Sequence, residues 1–203
     1  MKFLLVLFLA VFTCVQPLQA DIYHIPEPLM QEVRDRRAYL ESHPDSQEAL
    51  FELAMSYAYT GQIRLGWGSL KQVKESYAKE VVEKYTSLVE SDKTDWKSAF
   101  KLGFGYFFTK KKTKALEAFY VARDRNPENV WILGFIALVK GEMGQVDEAM
   151  KICKKALKME PNATGIHFLL AEGYRKKGKY MKFMSHMMIV GRLETEEALM
   201  REQ

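Results

Sequence analysis

The chain has 203 residues, 48% of them hydrophobic and 28% charged, and 30 basic against 26 acidic side chains leave a net charge of +4. This is a globular composition, enough for one domain with a real core and too little for two comfortable ones. A charge so near balance calls for no polyanionic partner, although local clusters still matter.

Residues 1–20 stand apart. Lys2 is their only charge, residues 3–12 are an unbroken apolar run, and Leu18-Gln19-Ala20 ends on a small residue. Ten apolar residues rise only about 15 Å as a helix, half the hydrocarbon thickness of a bilayer. A charged start, a short apolar middle and a small-residue site describe a secretory signal peptide cleaved after Ala20. Export to a periplasmic, cell-envelope or secreted location is therefore expected. Lipidation at Cys14 is disfavoured, because Val11-Phe12-Thr13 are bulky where such signals are small. Cleavage leaves Cys153 as the single cysteine, so no intrachain disulfide forms and the thiol reads as core.

Residues 28–42 read as a helix ending before Pro44, a cap over the helices that come after it. Leu50, Leu53, Ala54 and Tyr57, closed by Gly61, give the next helix. Leu70, Val73, Tyr77, Val81, Tyr85 and Leu88 keep the helical period, which predicts a helix over 62–74, a break near Ser76 and an extra helix over 77–91.

From residue 96 the chain repeats. Asn126-Pro127 and Glu160-Pro161 place prolines 34 residues apart, and the segments align without gaps. Leu102-Gly103 matches Ile136-Ala137 and Leu170-Ala171, and Tyr106 matches Tyr174. Ala115, Phe119 and Ala122 match Ala149, Cys153 and Ala156, while Gly144 and Gly178 share one turn position. Small residues at 103 and 115 let paired helices approach, Phe119 fills the space left, and Pro127 cannot continue its helix. At these residues the chain resembles the tetratricopeptide repeat family.

The resemblance implies an all-α, right-handed α-solenoid of stacked helix-turn-helix units, with an extra helix after the first repeat. The expected division is a signal peptide over 1–20 and an N-terminal capping helix within 21–46. A first unit with a helical insertion comes next over 47–95, then regular units over 96–129 and 130–163. A degenerate unit and C-terminal cap fill 164–203, where Phe183 stands in place of the small alanine.

Catalytic constellations are absent from the sequence. The four histidines are scattered with no HExxH, and Gly66-Trp67-Gly68 and Gly103-Phe104-Gly105 lack the third glycine of a phosphate loop. Neither a cofactor nor a small-molecule substrate is expected. Met181, Met184, His186, Met187 and Met188 offer soft donors that suit Cu(I), a remote reading for an exported accessory protein. The preferred reading puts Met184, Met187 and Met188 on the core side of the last helix as adaptable filler around Phe183.

In the family the first helix of each unit lines a concave groove. Carried over, the groove residues here are Phe51, Met55 and Tyr59, then Phe100, Phe104, Phe107 and Phe108, then Trp131 and Leu138, then Phe168. The Lys and Asn clamp by which some relatives hold a peptide carboxylate is missing, since Phe100 and Phe104 stand at its positions. An aromatic trough suits an apolar or amphipathic segment, and something should cover it: a partner, a second copy, or residues 21–28 of this chain. The function expected is a non-catalytic adaptor or assembly factor. The alternative is a peripheral protein binding anionic lipid or cell-wall polymer through Lys110-Lys111-Lys112 and Arg175-Lys176-Lys177. The turn between those clusters carries Glu142 and Asp147, which breaks the continuous basic stripe that nucleic acid needs.

Overall fold

The computed structural model describes residue 23 and residues 25–201. The signal-peptide reading of residues 1–20, Cys14 included, lies outside them. Among the described residues the fold consists of ten α-helices and contains no strand. α1 (Glu27–Ser42), α2 (Gln47–Tyr59), α3 (Ile63–Leu70) and α4 (Tyr77–Ser91) precede the regular pairs. These are α5 (Trp96–Phe108) with α6 (Lys112–Arg125), α7 (Val130–Glu142) with α8 (Val146–Met159), and α9 (Thr164–Lys176) with α10 (Tyr180–Arg201).

Local chemistry sets the ends. Ser46 and Asp95 cap α2 and α5 by accepting from the N–H groups of Ala49 and Ser98, and Asn129 caps α7 by accepting from Trp131. α6 and α8 stop just before Pro127 and Pro161, as a residue preceding proline is steered away from helix. Four turns between paired helices need a left-handed residue. Gly61, Gly144 and Gly178 supply it at φ 80°, 80° and 68°, but the turn between α5 and α6 uses Lys110 at φ 61°. A side chain in that region is strained by about 1–2 kcal/mol.

The stack is held as the repeat pattern requires. A Cβ on Gly103 would stand 2.6 Å from the Phe119 ring, so only glycine lets α5 and α6 meet there. Phe100, Phe104, Phe119 and Phe135 form a four-ring cluster with every pair of centroids between 4.8 and 6.1 Å. α6 packs on α7 and α8 on α9; α4 packs on α5 in the same way. The extra helix thus takes the place of the second helix of a preceding unit.

That leaves α2 and α3 without a place in the stack, and they lie across its inner face instead. Tyr59, at the end of α2, packs edge-on against Trp96 and Phe100 near the start of α5. Phe51, near the start of α2, shares a pocket with Gly105 and Phe108 near the end of α5. The two helices therefore run antiparallel, where successive first helices of a regular stack run parallel. At the turn, a Cβ on Gly61 would fall 2.1 Å from the Trp131 ring, and Asn129 Nδ2 donates to the Tyr59 carbonyl at 3.0 Å. Ile63, opening α3, meets Gly165 at the start of α9.

Replacing Lys110 by glycine is expected to stabilise the protein by about 0.5–1 kcal/mol, since relief of the left-handed strain outweighs the added freedom of the unfolded chain. Gly61→Ala should do the reverse by about 2 kcal/mol or more, through both its positive φ and the Trp131 ring. Urea denaturation monitored by circular dichroism measures both.

Candidate functional site

The inner face divides into a closed and an open part. Over α5 it is closed by α2. Phe100 and Phe104 are buried among Tyr59, Phe119 and Phe135. Phe51, Met55 and Tyr59 are buried in the same cluster from the other side. Trp131 is covered by Gly61 and by the Tyr23 ring, whose centroid is 4.9 Å away. The sequence expectation that these six line an open groove is corrected: they are the contact between the groove and the chain's own helical hairpin. Residues 21–28 contribute Tyr23 to that cover, whereas Asp21, Ile22 and His24 lie outside the described residues. Phe107 and Phe108 are half-buried at the far end of α5.

A polar lock fastens the closed part. Glu52 is the one charged side chain within α2's buried run, and three groups converge on it. Lys101 Nζ of α5 donates at 2.7 Å, Arg36 of α1 lies at 2.9 Å, and the Tyr85 hydroxyl of α4 donates to its other oxygen. Burial alone would raise the Glu52 carboxyl. Lys101 first, then the Tyr85 hydroxyl and Arg36, outweigh it and hold the group below its ordinary 4.5. A parallel contact joins Glu32 of α1 to the Tyr59 hydroxyl at 2.5 Å and to Lys97 of α5. Burial, then the neighbouring carboxylates Glu32 and Glu52 respectively, push the Tyr59 and Tyr85 hydroxyls well above 10, so both remain donors. No described buried side-chain nitrogen or oxygen lacks a partner. Sequence reasoning missed this lock, and its signal was an acid in an otherwise apolar helix, Phe51-Glu52-Leu53-Ala54.

The open part lies between α3, α7, α9 and α10. It is a cavity of about 690 Å³ whose apolar wall is Trp67, Leu138 and Phe168, with Arg64 and Lys71 on one rim and Glu194 and Glu197 on the other. Trp67 and Phe168 are 38% and 45% exposed. A smaller cleft of about 340 Å³ continues past Leu138 and Phe168 toward Arg175 and Lys176. Of the residues expected to line the groove, Leu138 and Phe168 stand in the open part, and Trp131, though buried beneath Gly61 and Tyr23, also contributes to its lining. Trp67 and the charged rims come from α3 and α10, outside the first-helix positions that the repeat geometry points to.

The basic turns and the soft-donor cluster are also placed. Lys112 of one basic turn donates to the Glu142 carbonyl at 2.9 Å, and Lys177 of the other lies 2.7 Å from Asp147, so the middle acidic turn ties the two together. Met184 and Met188 face solvent rather than core, correcting the filler reading, while Met187 is half-buried. His186 lies on the packed side of α10, with Nδ1 2.9 Å from His167 Nδ1, so imidazole and thioethers do not converge on a copper ion. Burial, then His167 and Lys154, lower the His186 imidazole below its usual 6.5. Burial pushes the Cys153 thiol up to about 12, which makes it a poor nucleophile. Among the described residues, no group of three or more His, Cys, Asp or Glu is placed to hold a metal, and no helix is long and apolar enough to cross a membrane.

Fold and repeat spacing together define a helical-repeat protein built from tetratricopeptide-like units. No family model matches the chain. BBSome complex member BBS4 of Bos taurus is 30% identical over 126 residues, which are 59% of this chain and 24% of that protein. The chain thus spans about a quarter of the length of this curated relative. Among solved structures, MamA superposes with a TM-score of 0.54 at 19% identity, covering 85% of this chain and 92% of that one. MamA from Desulfovibrio magneticus RS-1 gives 0.52 at 14% identity, covering 82% and 86%. At such identities these likenesses concern the fold.

Lys101→Met should destabilise the protein by about 2–3 kcal/mol, because it takes the buried cation from a carboxylate then left with the partly exposed Arg36 and the Tyr85 hydroxyl, and adding Glu52→Leu should recover part of that loss. Since the folded Glu52 carboxyl lies below 4.5, its stabilisation is complete above pH 4.5 and lost as pH falls through the lower folded value. Denaturant titrations between neutral and acid pH should show the wild type losing this increment and the double variant lacking the step.

Proposed function

We propose that this chain is an exported, non-catalytic adaptor that holds an apolar or amphipathic segment of a partner protein in the open part of its inner face. The observation that carries this reading is the cavity walled by Trp67, Leu138 and Phe168 between oppositely charged rims. It has the size and apolar lining of a recognition site, and its acidic and basic edges would orient an amphipathic helix. BBS4, the relative that shares a quarter of its length with this chain, is by its name a member of a complex, in keeping with an assembly role. Export rests on the pattern of residues 1–20. The basic-turn reading of a lipid or cell-wall partner is the weaker one, because Lys112 and Lys177 are engaged with Glu142 and Asp147.

Intrinsic tryptophan fluorescence of the chain from Asp21, titrated with amphipathic helical peptides and scrambled controls, tests the reading. Phe168→Asp should weaken binding roughly tenfold or more without lowering the melting temperature. Phe104→Asp should instead unfold the protein, its ring being core. Absence of binding to any such peptide, together with crosslinked capture unchanged by Phe168→Asp, rejects the adaptor site. Cell fractionation and N-terminal sequencing check export, with Asp21 expected as the first residue of the mature protein.

A further inference from the structure

α10 meets α9 through a pair of imidazoles. His167, near the start of α9, is buried, and its Nδ1 lies 2.9 Å from Nδ1 of His186 on α10. Its Nε2 lies 2.8 Å from the Pro161 carbonyl oxygen, in the turn before α9. A carbonyl only accepts, so His167 Nε2 carries a proton and donates it. The neutral ring then has a bare Nδ1, which is satisfied only if His186 Nδ1 carries a proton and donates in turn. Two neutral rings in opposite tautomers therefore complete the contact, His167 protonated at Nε2 and His186 at Nδ1. Further protons are opposed at both remaining nitrogens. One would go to His186 Nε2, on a half-buried ring that stacks on Tyr174 of α9 at 5.6 Å and 19°. Lys154 of α8 and Lys182 of α10 hold their ammonium groups over that same tyrosine ring, at 5.7 and 5.5 Å. The other would go to His167 Nδ1, and two N–H groups would then face each other across 2.9 Å with nothing to accept either. Glu160, the carboxylate of the turn that carries Pro161, accepts from the Asn162 N–H at 3.0 Å, so the charges nearest the pair are cations.

We propose that the His167–His186 pair is a proton-operated latch on α10, closed while both rings are neutral and released by acid. Its consequence for binding depends on the adaptor reading of the open cavity. Val190 stands one turn beyond His186 on the same side of α10, and Glu194 one turn further; both line that cavity. The closed latch thus seats the α10 wall of the cavity, and release of α10 removes that wall from Trp67, Leu138 and Phe168. Burial, then His167 and Lys154, hold the folded His186 below its usual 6.5. The latch therefore contributes its full stabilisation above pH 6.5 and loses it as pH falls through the lower folded value. Glu52 acts in the other pH range, since its contribution is complete down to pH 4.5.

Long-range proton–nitrogen NMR of the histidine-labelled chain from Asp21, which contains every described helix, reads the tautomers at pH 7.5. His167 is expected with its proton on Nε2 and His186 with its proton on Nδ1. Hydrogen exchange between pH 7.5 and 5, corrected for the intrinsic rate, then follows the latch. Protection of α10 relative to α7 should fall by up to about tenfold per pH unit below 6.5. His186→Asn can still donate from its amide to His167 but cannot take up a proton, so it should keep α10 protected at pH 7.5 and flatten the fall. His186→Phe keeps a ring on Tyr174 and should flatten the fall as well, which guards against an asparagine that fails to seat. A proton on Nε2 of His186 at pH 7.5, or the same pH dependence in the wild type and both variants, overturns the latch. An amphipathic peptide bound at pH 7.5 should bind at least about fivefold more weakly at pH 5.5, with the difference lost in His186→Asn. Affinity that ignores pH while α10 loses protection refutes control of the cavity. Absence of peptide binding at every pH counts instead against the adaptor reading, and leaves the tautomers and the exchange of α10 to decide the latch.

Discussion

Glu52 is the constraint around which the N-terminal half is organised. A carboxylate buried within a helix that is apolar on every side is tolerable only if its charge is met. The groups that meet it come from three other helices: Arg36 of α1, Tyr85 of α4 and Lys101 of α5. Lys101 is the buried cation among them, and its ion pair fixes a register that apolar packing alone would let α2 slide or rotate out of on α5. Hydrophobic burial presses the hairpin onto the stack, and the ion pair fixes its position. Glu32 repeats the device one turn away, taking the Tyr59 hydroxyl and Lys97.

The part of the inner face that the hairpin covers decides where binding can occur. The four-ring cluster of Phe100, Phe104, Phe119 and Phe135 needs a lid, and α2 provides it with Met55 and Tyr59. α3 is shorter and diverges over α7 and α9, where Trp67 stands off from Leu138 and Phe168 and leaves a cavity between them. An intramolecular lid also lowers the apolar surface that a free monomer would expose. Among the described residues, apolar surface that stays open includes the cavity beside α3, the cleft that continues from it toward Arg175, and the exposed methionines of α10.

Much of the architecture was legible in local patterns. The 34-residue step, the small residues at Gly103 and Ala115, the stops before Pro127 and Pro161, and the separate helix α4 are consequences of spacing and turn chemistry that act within a few residues. The roles of Phe100, Phe104 and Met184 were not. Helical period states which residues share a face, and it is silent on what lies against that face. Phe104 on a first helix lines a groove only if no other element fills it, and Met184 fills a core only if a neighbour arrives.

By itself the sequence determined a helical-repeat chain with its turn positions and an apolar inner face, because each depends on contacts between residues close in sequence. Only the tertiary structure decided that α2 lies antiparallel over α5, that six of the expected groove residues are buried, and that α3 and α10 complete the open cavity. Those outcomes depend on pairs such as Glu52 with Lys101 and Gly61 with Trp131, tens of residues apart. Their meeting depends on how the insertion before α5 turns the first hairpin back onto the stack, which no periodicity within a helix encodes.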